Sequence, residues 1–473
     1  MAQRSELARS IKPSWVWSIA FGSSIGWGAF ILPTDWVNQS GSIGAMIGLG
    51  LGATIMMMIA ICYGVLIRRY PVSGGGYAYA YLSSGRNWAF ITGWFMVLGY
   101  ASIVALNASA FSLLLKYLNP LFMKQGYLYT IAGWEVYIPE LIISSIMIVL
   151  FALFNIKGSK FSGKLQLFFS VILAVGVVII AIYTFNFADF PLMNMQPAFN
   201  ENQSITVSIL VVLAIAPWAY VGFDNVPQAA EEFKFSTQKT TMLIILSLLS
   251  SGLVYIVMIG VASWTFDISN FNSNSGLWLI GDIIYSSAGI MGLLVLTIVI
   301  IMGIFTGLNG FLNSSSRLLY SMARGRALPK FFEDLHPKYQ TPYKAIWFIA
   351  ITMLPLMLFG RPALSWIVDM ASIGVTVGYL FTCIAAYKLL SWKRSGNQVF
   401  APIKKLIALS GITFSIIFIL LLLIPISPAA LKMPSIIALI AWFLIGFIFY
   451  LFIRKDYSRI DEKDLRYYIL NDD

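Results

Sequence analysis

The chain has 473 residues, 59% of them hydrophobic and only 11% charged, where a soluble domain carries roughly 25%. One histidine and two cysteines leave no ligand cluster for a metalloenzyme and no partner set for a Ser-His-Asp hydrolase. No metal, cofactor or catalytic role is therefore expected. The net charge of +11 follows membrane orientation, as shown below, and gives no reason to expect nucleic acid as a partner.

Taken in chain order, the first stretch, MAQRSELARSIKPS, is charged and has no cleavage site, so no signal peptide is expected and residues 1–13 read as a cytoplasmic tail. Apolar runs of the length needed to cross a bilayer follow. About twelve are present, near 14–36, 43–67, 89–115, 138–155, 165–187, 206–230, 240–264, 278–318, 345–360, 363–388, 406–427 and 434–453. The first contains IAFGSSIGWGAFILP, with three glycines, two serines and a proline. The second carries Gly44, Gly48 and Gly52 on one face, which lets another helix approach closely. The sixth, VVLAIAPWAYVGFDNVPQAAEEF, is interrupted by Pro217, Gly222 and Pro227. The eighth is too long for one crossing and is expected to begin outside, around Asp282. Residues 321–344 are the longest polar connection, so no soluble domain is inserted, and residues 454–473 read as a second cytoplasmic tail.

With the N-terminus inside and twelve crossings, 27 of the 31 Lys and Arg residues fall on the cytoplasmic side. Lys116, Lys124, Arg361 and Lys432 fall outside. This is the positive-inside bias, and it places both termini in the cytoplasm of a multi-pass cell-membrane protein.

The two interrupted helices lie five spans apart. That spacing suggests an inverted repeat of five plus five helices, residues 14–187 and 206–390, followed by two extra helices in 405–453. Glycine admits non-helical dihedrals and proline removes a backbone donor. Broken helices at matching positions of two halves mark a transporter's binding site, because their free amides attract anions and their free carbonyls attract cations. The alternative is a pair of helices kinked for packing.

Four stretches carry a family resemblance. GSSIGWGAFILP is similar to G-x-x-I-G-x-G-I-F-x-x-P, and RRYPVSGGGYAYAYLSSGRNWAFITGWFMVLGY to a P-x-x-G-G-x-Y-x-Y…G…GW block. YVGFDNVPQAAEEFK is similar to a sixth-helix motif ending in A-E-E, and SRLLYSMARGRALPKFFEDLHPKYQTPYKAI to an eighth-helix exit. In this order they resemble the amino acid–polyamine–organocation permeases over most of the chain. The resemblance implies an all-α integral membrane protein with a LeuT-like fold and alternating access. It implies a substrate carboxylate on the amides of Trp27 and Gly28, with Gly26 just before and Ile25 alongside, and a substrate ammonium on carbonyls of Ser24, Trp218 and Val221. It also implies that the Trp218 indole covers the substrate, with Phe311 in the eighth helix and Asn107 in the third nearby. Two departures stand out. Trp27 replaces a small residue between the glycines, and its indole either shrinks the pocket or points into helix packing. The fifth helix has only Lys164, at its cytoplasmic end, where some proton-coupled members carry a lysine midway.

Charges within the membrane need partners or solvent. Asp224, directly after the sixth-helix break, can meet a substrate amine, carry a coupling proton or cap the second half-helix. Glu231 and Glu232 either pair with basic loop residues as an inner gate or end a solvated helix, and Asp369 either pairs with Arg361 or is solvated near the outer face. The serines of LNSSS at 312–316 either donate oxygen ligands to sodium or bond their own helix carbonyls. The expected function is a secondary transporter for an amino acid or related small amine, driven by protons or exchange. A polyamine or aminoalcohol carrier of the same fold and an intramembrane sensor are the alternatives.

Overall fold

The computed structural model describes residues 4–265, 278–391 and 401–472 except 426 and 428. Lys393 and Arg394, assigned above to the cytoplasmic side, lie outside the described residues. The helices α1 (Pro13–Ile25) and α2 (Pro33–Ser40) flank the first interruption. They are followed by α3 (Ser42–Arg69), α4 (Gly76–Ser84), α5 (Arg86–Leu118) and α6 (Pro120–Met123). An antiparallel hairpin, β1 (Tyr127–Ile131) and β2 (Trp134–Tyr137), leads into α7 (Ile138–Ile156) and α8 (Ser159–Phe187). The second interrupted segment consists of α9 (Ile205–Leu213), α10 (Ala216–Ala219) and α11 (Asn225–Gln228). Then come α12 (Thr240–Thr265), α13 (Leu279–Arg324), α14 (Tyr343–Met353), α15 (Gly360–Ser391), α16 (Ala401–Leu423), α17 (Met433–Arg459) and α18 (Glu462–Leu470).

Ten helices among the described residues are long and apolar enough to cross a membrane. Lipid offers no hydrogen-bond partners, so a spanning segment must satisfy its backbone internally, as a helix does. The apolar segments 13–25 and 205–219 are shorter because each ends at a break. The apolar core of α5 is 78% buried and that of α17 only 6%. The third span therefore runs through the middle of the bundle, and the last one presents Phe443, Phe447 and Phe452 outward. The unusual length of α13 resolves at Gly289, whose φ of +64° breaks the helix after an initial segment containing Asp282.

The glycine row of α3 does what its spacing suggests. A Cβ built on Gly48 would lie 2.8 Å from the Ile209 carbonyl oxygen, and one on Gly52 2.6 Å from Ala216 Cβ. Missing side chains on α3 thus let α9 and α10 settle against it backbone to backbone. The sequence reading left 116–137 as a plain connection. Instead the hairpin folds over the end of α5 and buries Lys116, whose ammonium lies 2.5 Å from Glu140 and 4.5 Å from the centre of the Trp134 ring. The tails are also more than loose ends. The amides of Ser10 and Ile11 both donate to the Glu232 carbonyl at 2.9 Å, and α18 buries Leu465, Ile469 and Leu470.

Substituting Gly48→Ala is expected to push α9 off α3 and to lower stability by about 1–3 kcal/mol, the usual range for overpacking. Thermal melting in detergent measures it, with half-buried Gly50→Ala as the control because its built Cβ meets nothing closer than 4.0 Å.

Candidate functional site

The first break forms where Gly26 takes φ +51° and ψ −159°, a conformation that side chains disfavour. A 3-10 turn, Gly28–Phe30, follows, and Pro33 opens α2 with its preset φ. The amides that begin such a turn have no intrahelical acceptor. In the second break Pro217 opens the single turn of α10, the chain unwinds over 220–224, and Gly222 takes φ +124°. A Cβ on Gly222 would lie 2.6 Å from the Ser23 carbonyl carbon. The two breaks therefore touch, and they do so only because this position has no side chain.

Between them is a hollow of about 40 Å³. Nine of the ten positions expected to bind substrate line it: Ser24, Ile25, Gly26, Trp27, Gly28, Asn107, Trp218, Val221 and Phe311. The oxygens Ser24 Oγ and Asn107 Oδ1, together with Ser23 Oγ, have no hydrogen-bond partner among the described residues. Buried polar atoms of this kind are costly unless something else satisfies them. Tyr255 of α12 was missed by the sequence reading. Its hydroxyl donates to the Ala219 carbonyl at 2.6 Å and lies 2.9 Å from that of Ser24, so it ties the two breaks together. A tyrosine among the aliphatic residues of the seventh span was the available signal, but nothing local tied it to breaks 36 and 231 residues away.

A larger vestibule of about 680 Å³ lies beyond, reaching Gln39, Arg361 and Lys432. Trp27, Leu106 and Trp218 line both spaces. The indoles of Trp27 and Trp218 meet edge to face with centroids 6.3 Å apart, and the Arg361 guanidinium lies 4.6 Å above the Trp27 ring. Asp369 is half-buried on the vestibule wall and accepts from Ser435 at 3.4 Å. It is the indole of Trp27 that Arg361 covers.

Asp224, the tenth expected position, does not line the hollow. Nor does its side chain cap α11. The carboxyl group turns back to accept from the Gly222 amide at 2.8 Å and from the Tyr100 hydroxyl at 2.5 Å. It holds the unwound turn against α5, a role that neither capping nor a substrate contact describes. The polar contact between α8, α1 and α13 is neutral. Gln166 donates to the Ser18 and Thr306 carbonyls at 3.2 and 3.3 Å and accepts from Asn309 at 2.7 Å, whereas Lys164 is exposed. Ser315 and Ser316 bond carbonyls of their own helix at 2.7 and 2.8 Å.

Glu231 and Glu232 are buried, so the solvated-helix reading is corrected, and the expected pairing with basic loop residues is met in part, by Arg4 of the N-terminal tail beside Glu231. Their partners are Arg324 and Arg317, both on α13 and two turns apart on one face. Arg324 binds Glu231 through two nitrogens at 2.9 Å each, and Arg4 of the N-terminal tail adds a contact at 3.3 Å. Arg317 binds Glu232 at 2.9 Å, with Ser159 of α8 bonded to both. Burial alone would push the Glu231 carboxyl up, but Arg324 and Arg4 hold it below its ordinary value. These pairs close the face of the bundle that carries both termini, opposite the vestibule.

Three outcomes follow from these contacts. Asparagine at 224 has one acceptor oxygen for two donors, so Asp224→Asn is expected to cost about 1.5–3 kcal/mol. Tyr100→Phe should cost a similar amount, and the double variant less than the sum; melting of the four proteins measures this. Glu232→Gln leaves Arg317 buried without its charge partner and should cost about 3–5 kcal/mol. Because the Glu231 carboxyl titrates below its ordinary value, the stability it contributes is fully present above that value and is lost only as pH falls through the lowered one. The acid limb of melting temperature against pH should accordingly flatten in Glu231→Gln.

The sequence pattern of the family described as amino acid permease matches residues 14–450. The chain is 24% identical to the branched-chain amino acid permease BcaP of Bacillus subtilis over 460 residues, covering 94% of this chain and 92% of that one. It is 24% identical to the methylthioribose transporter of Bacillus subtilis, covering 86% and 87%. It is 26% identical to the vacuolar cationic amino acid transporter 4 of Arabidopsis thaliana, covering 81% and 63%. With a match over nearly its whole length, and with breaks and spans where the motifs put them, the chain belongs to the amino acid permease family, within the amino acid–polyamine–organocation permeases.

Proposed function

We propose that this protein is a secondary transporter that moves an amino acid across the cell membrane by alternating access. In this reading the interrupted segments 13–25 and 205–219 complete twelve crossings with the ten long helices. Residues 14–187 and 206–390 form a LeuT-like inverted repeat, 405–453 add two helices, and both tails, 1–13 and 454–473, face the cytoplasm. The carrying observation is the contact of the two breaks around one hollow with unpartnered oxygens in and beside its wall. Substrate carboxylate would take the amides at Trp27 and Gly28. Its ammonium would take Ser24, Asn107 and the carbonyls at Trp218 and Val221.

The asymmetry of the two faces supports alternating access. One face is sealed by the Arg317–Glu232 and Arg324–Glu231 pairs, while the vestibule leads from the other to the Trp27–Trp218 wall. Opening the sealed face would require parting two buried ion pairs, a step that the filled site must favour. Energy would come from a proton gradient or from exchange, and the neutral Gln166–Asn309 contact favours a coupling route other than a lysine in the fifth helix. A polyamine or aminoalcohol carrier is the weaker reading, because no carboxylate lines the hollow and Asp224 is held by Gly222 and Tyr100.

Uptake of labelled amino acids into proteoliposomes, with and without an imposed pH gradient or internal amino acid, tests transport and its coupling. A decarboxylated analogue of a transported amino acid is expected to compete roughly 10- to 150-fold more weakly, the loss of one charge-assisted hydrogen bond. Equal competition by the amine would favour the polyamine or aminoalcohol reading.

A further inference from the structure

The hollow is tight for any amino acid on the side that Trp27 lines. A single water needs roughly 10–15 Å³ on the same measure, so about 40 Å³ admits only a few non-hydrogen atoms. The five non-hydrogen atoms of an ammonium, an α-carbon and a carboxylate already fill it. The wall that limits it stands at the position between the two glycines of the first break. Trp27 stands where a small residue is usual, and its indole faces the hollow on one side and the vestibule on the other.

Two contacts hold that indole in place, and a glycine leaves room for one of them. Trp218 meets it edge to face at 6.3 Å. Arg361, half-buried on the vestibule wall, covers it at 4.6 Å, within the range of cation–π attraction. Gly28 completes the arrangement, because a Cβ there would lie 3.0 Å from Trp218 Cη2 and would drive the second indole away. The remainder of the lining is neutral, with Ser24 and Asn107 offering oxygens and Ile103 and Phe311 offering hydrocarbon. Neither a cationic nor an anionic side chain would find a counter-charge there.

We propose that Trp27, braced by Trp218 and Arg361, is a size filter that restricts this permease to the smallest neutral amino acids, glycine, alanine and serine. The proposal rests on the reading of the hollow as the substrate site. A larger side chain would have to displace an indole held on both faces. Each methylene too many in an apolar pocket weakens selection by roughly 10- to 200-fold.

The test is uptake of labelled glycine and alanine by the full chain in proteoliposomes, with unlabelled serine, leucine, phenylalanine and lysine as competitors. In the wild type, serine should compete like alanine, and leucine, phenylalanine and lysine at least roughly 10-fold more weakly. Trp27→Ala should raise the leucine-to-alanine uptake ratio by roughly 10-fold or more, and Arg361→Gln should shift it in the same direction. Leucine or phenylalanine competing as well as alanine in the wild type would overturn the filter while leaving amino acid transport intact. So would an unchanged ratio in a Trp27→Ala protein that melts normally. If Trp27→Ala does not fold, Trp27→Phe and the wild-type size series decide the question. Failure to bind or carry any amino acid of any size would overturn the site reading itself.

Discussion

Backbone amides and carbonyls at membrane depth must be paired, because hydrocarbon cannot solvate them and each orphan costs several kcal/mol. Two helices that stop partway through the bundle violate this rule unless other groups close the gaps. Here the breaks close each other. Gly222 lies against the Ser23 backbone, Tyr255 bridges the Ser24 and Ala219 carbonyls, and Thr306 donates to the Gly22 carbonyl at 2.9 Å. Asp224 gathers the amide of Gly222 and pins it to Tyr100. Among the oxygens left unsatisfied are those of Ser23, Ser24 and Asn107 in and beside the hollow, and a polar ligand there would satisfy them.

Close approach is the second requirement, and glycine supplies it on both sides. The α13 helix runs past the first break with Gly303 against the Gly26 carbonyl and Gly310 against Ser23. It passes the third span at Gly307, where any Cβ would meet Asn107. The same helix then carries Arg317 and Arg324 to the terminal face. One long element therefore joins the wall of the hollow to the ion pairs that close the bundle. A shift of α13 would be felt at both places, since packed interiors transmit displacement rather than absorb it.

Closure of the terminal face draws on parts of the chain that look unrelated in sequence. Arg4, Ser73, Ser159, Glu231, Glu232, Arg317 and Arg324 come from the N-terminal tail, one loop and three helices or turns. Buried ion pairs contribute little net stability, because desolvation offsets attraction, yet they make any arrangement that leaves one partner alone expensive. Such pairs suit a face that must be either fully shut or fully open to water, where both partners can be solvated.

The sequence alone was sufficient to show a membrane protein, the positions of its spans, the two interruptions and most of the lining of the hollow. Those features are local. Hydrophobic run length, glycine and proline placement and loop charge act within about 20 residues, and a short motif carries the backbone that bends around a ligand. Tertiary structure decided which side chains face one another across 36 to 284 residues of chain. It made Tyr255 the bridge between breaks, gave Glu231 and Glu232 arginines from α13 as their main partners, and turned Asp224 toward Tyr100 rather than its own helix. It also set the Trp27 indole against Trp218 and Arg361 beside the hollow. A tryptophan's rotamer, and the direction of a carboxylate at a break, depend on neighbours that only the folded bundle brings within reach.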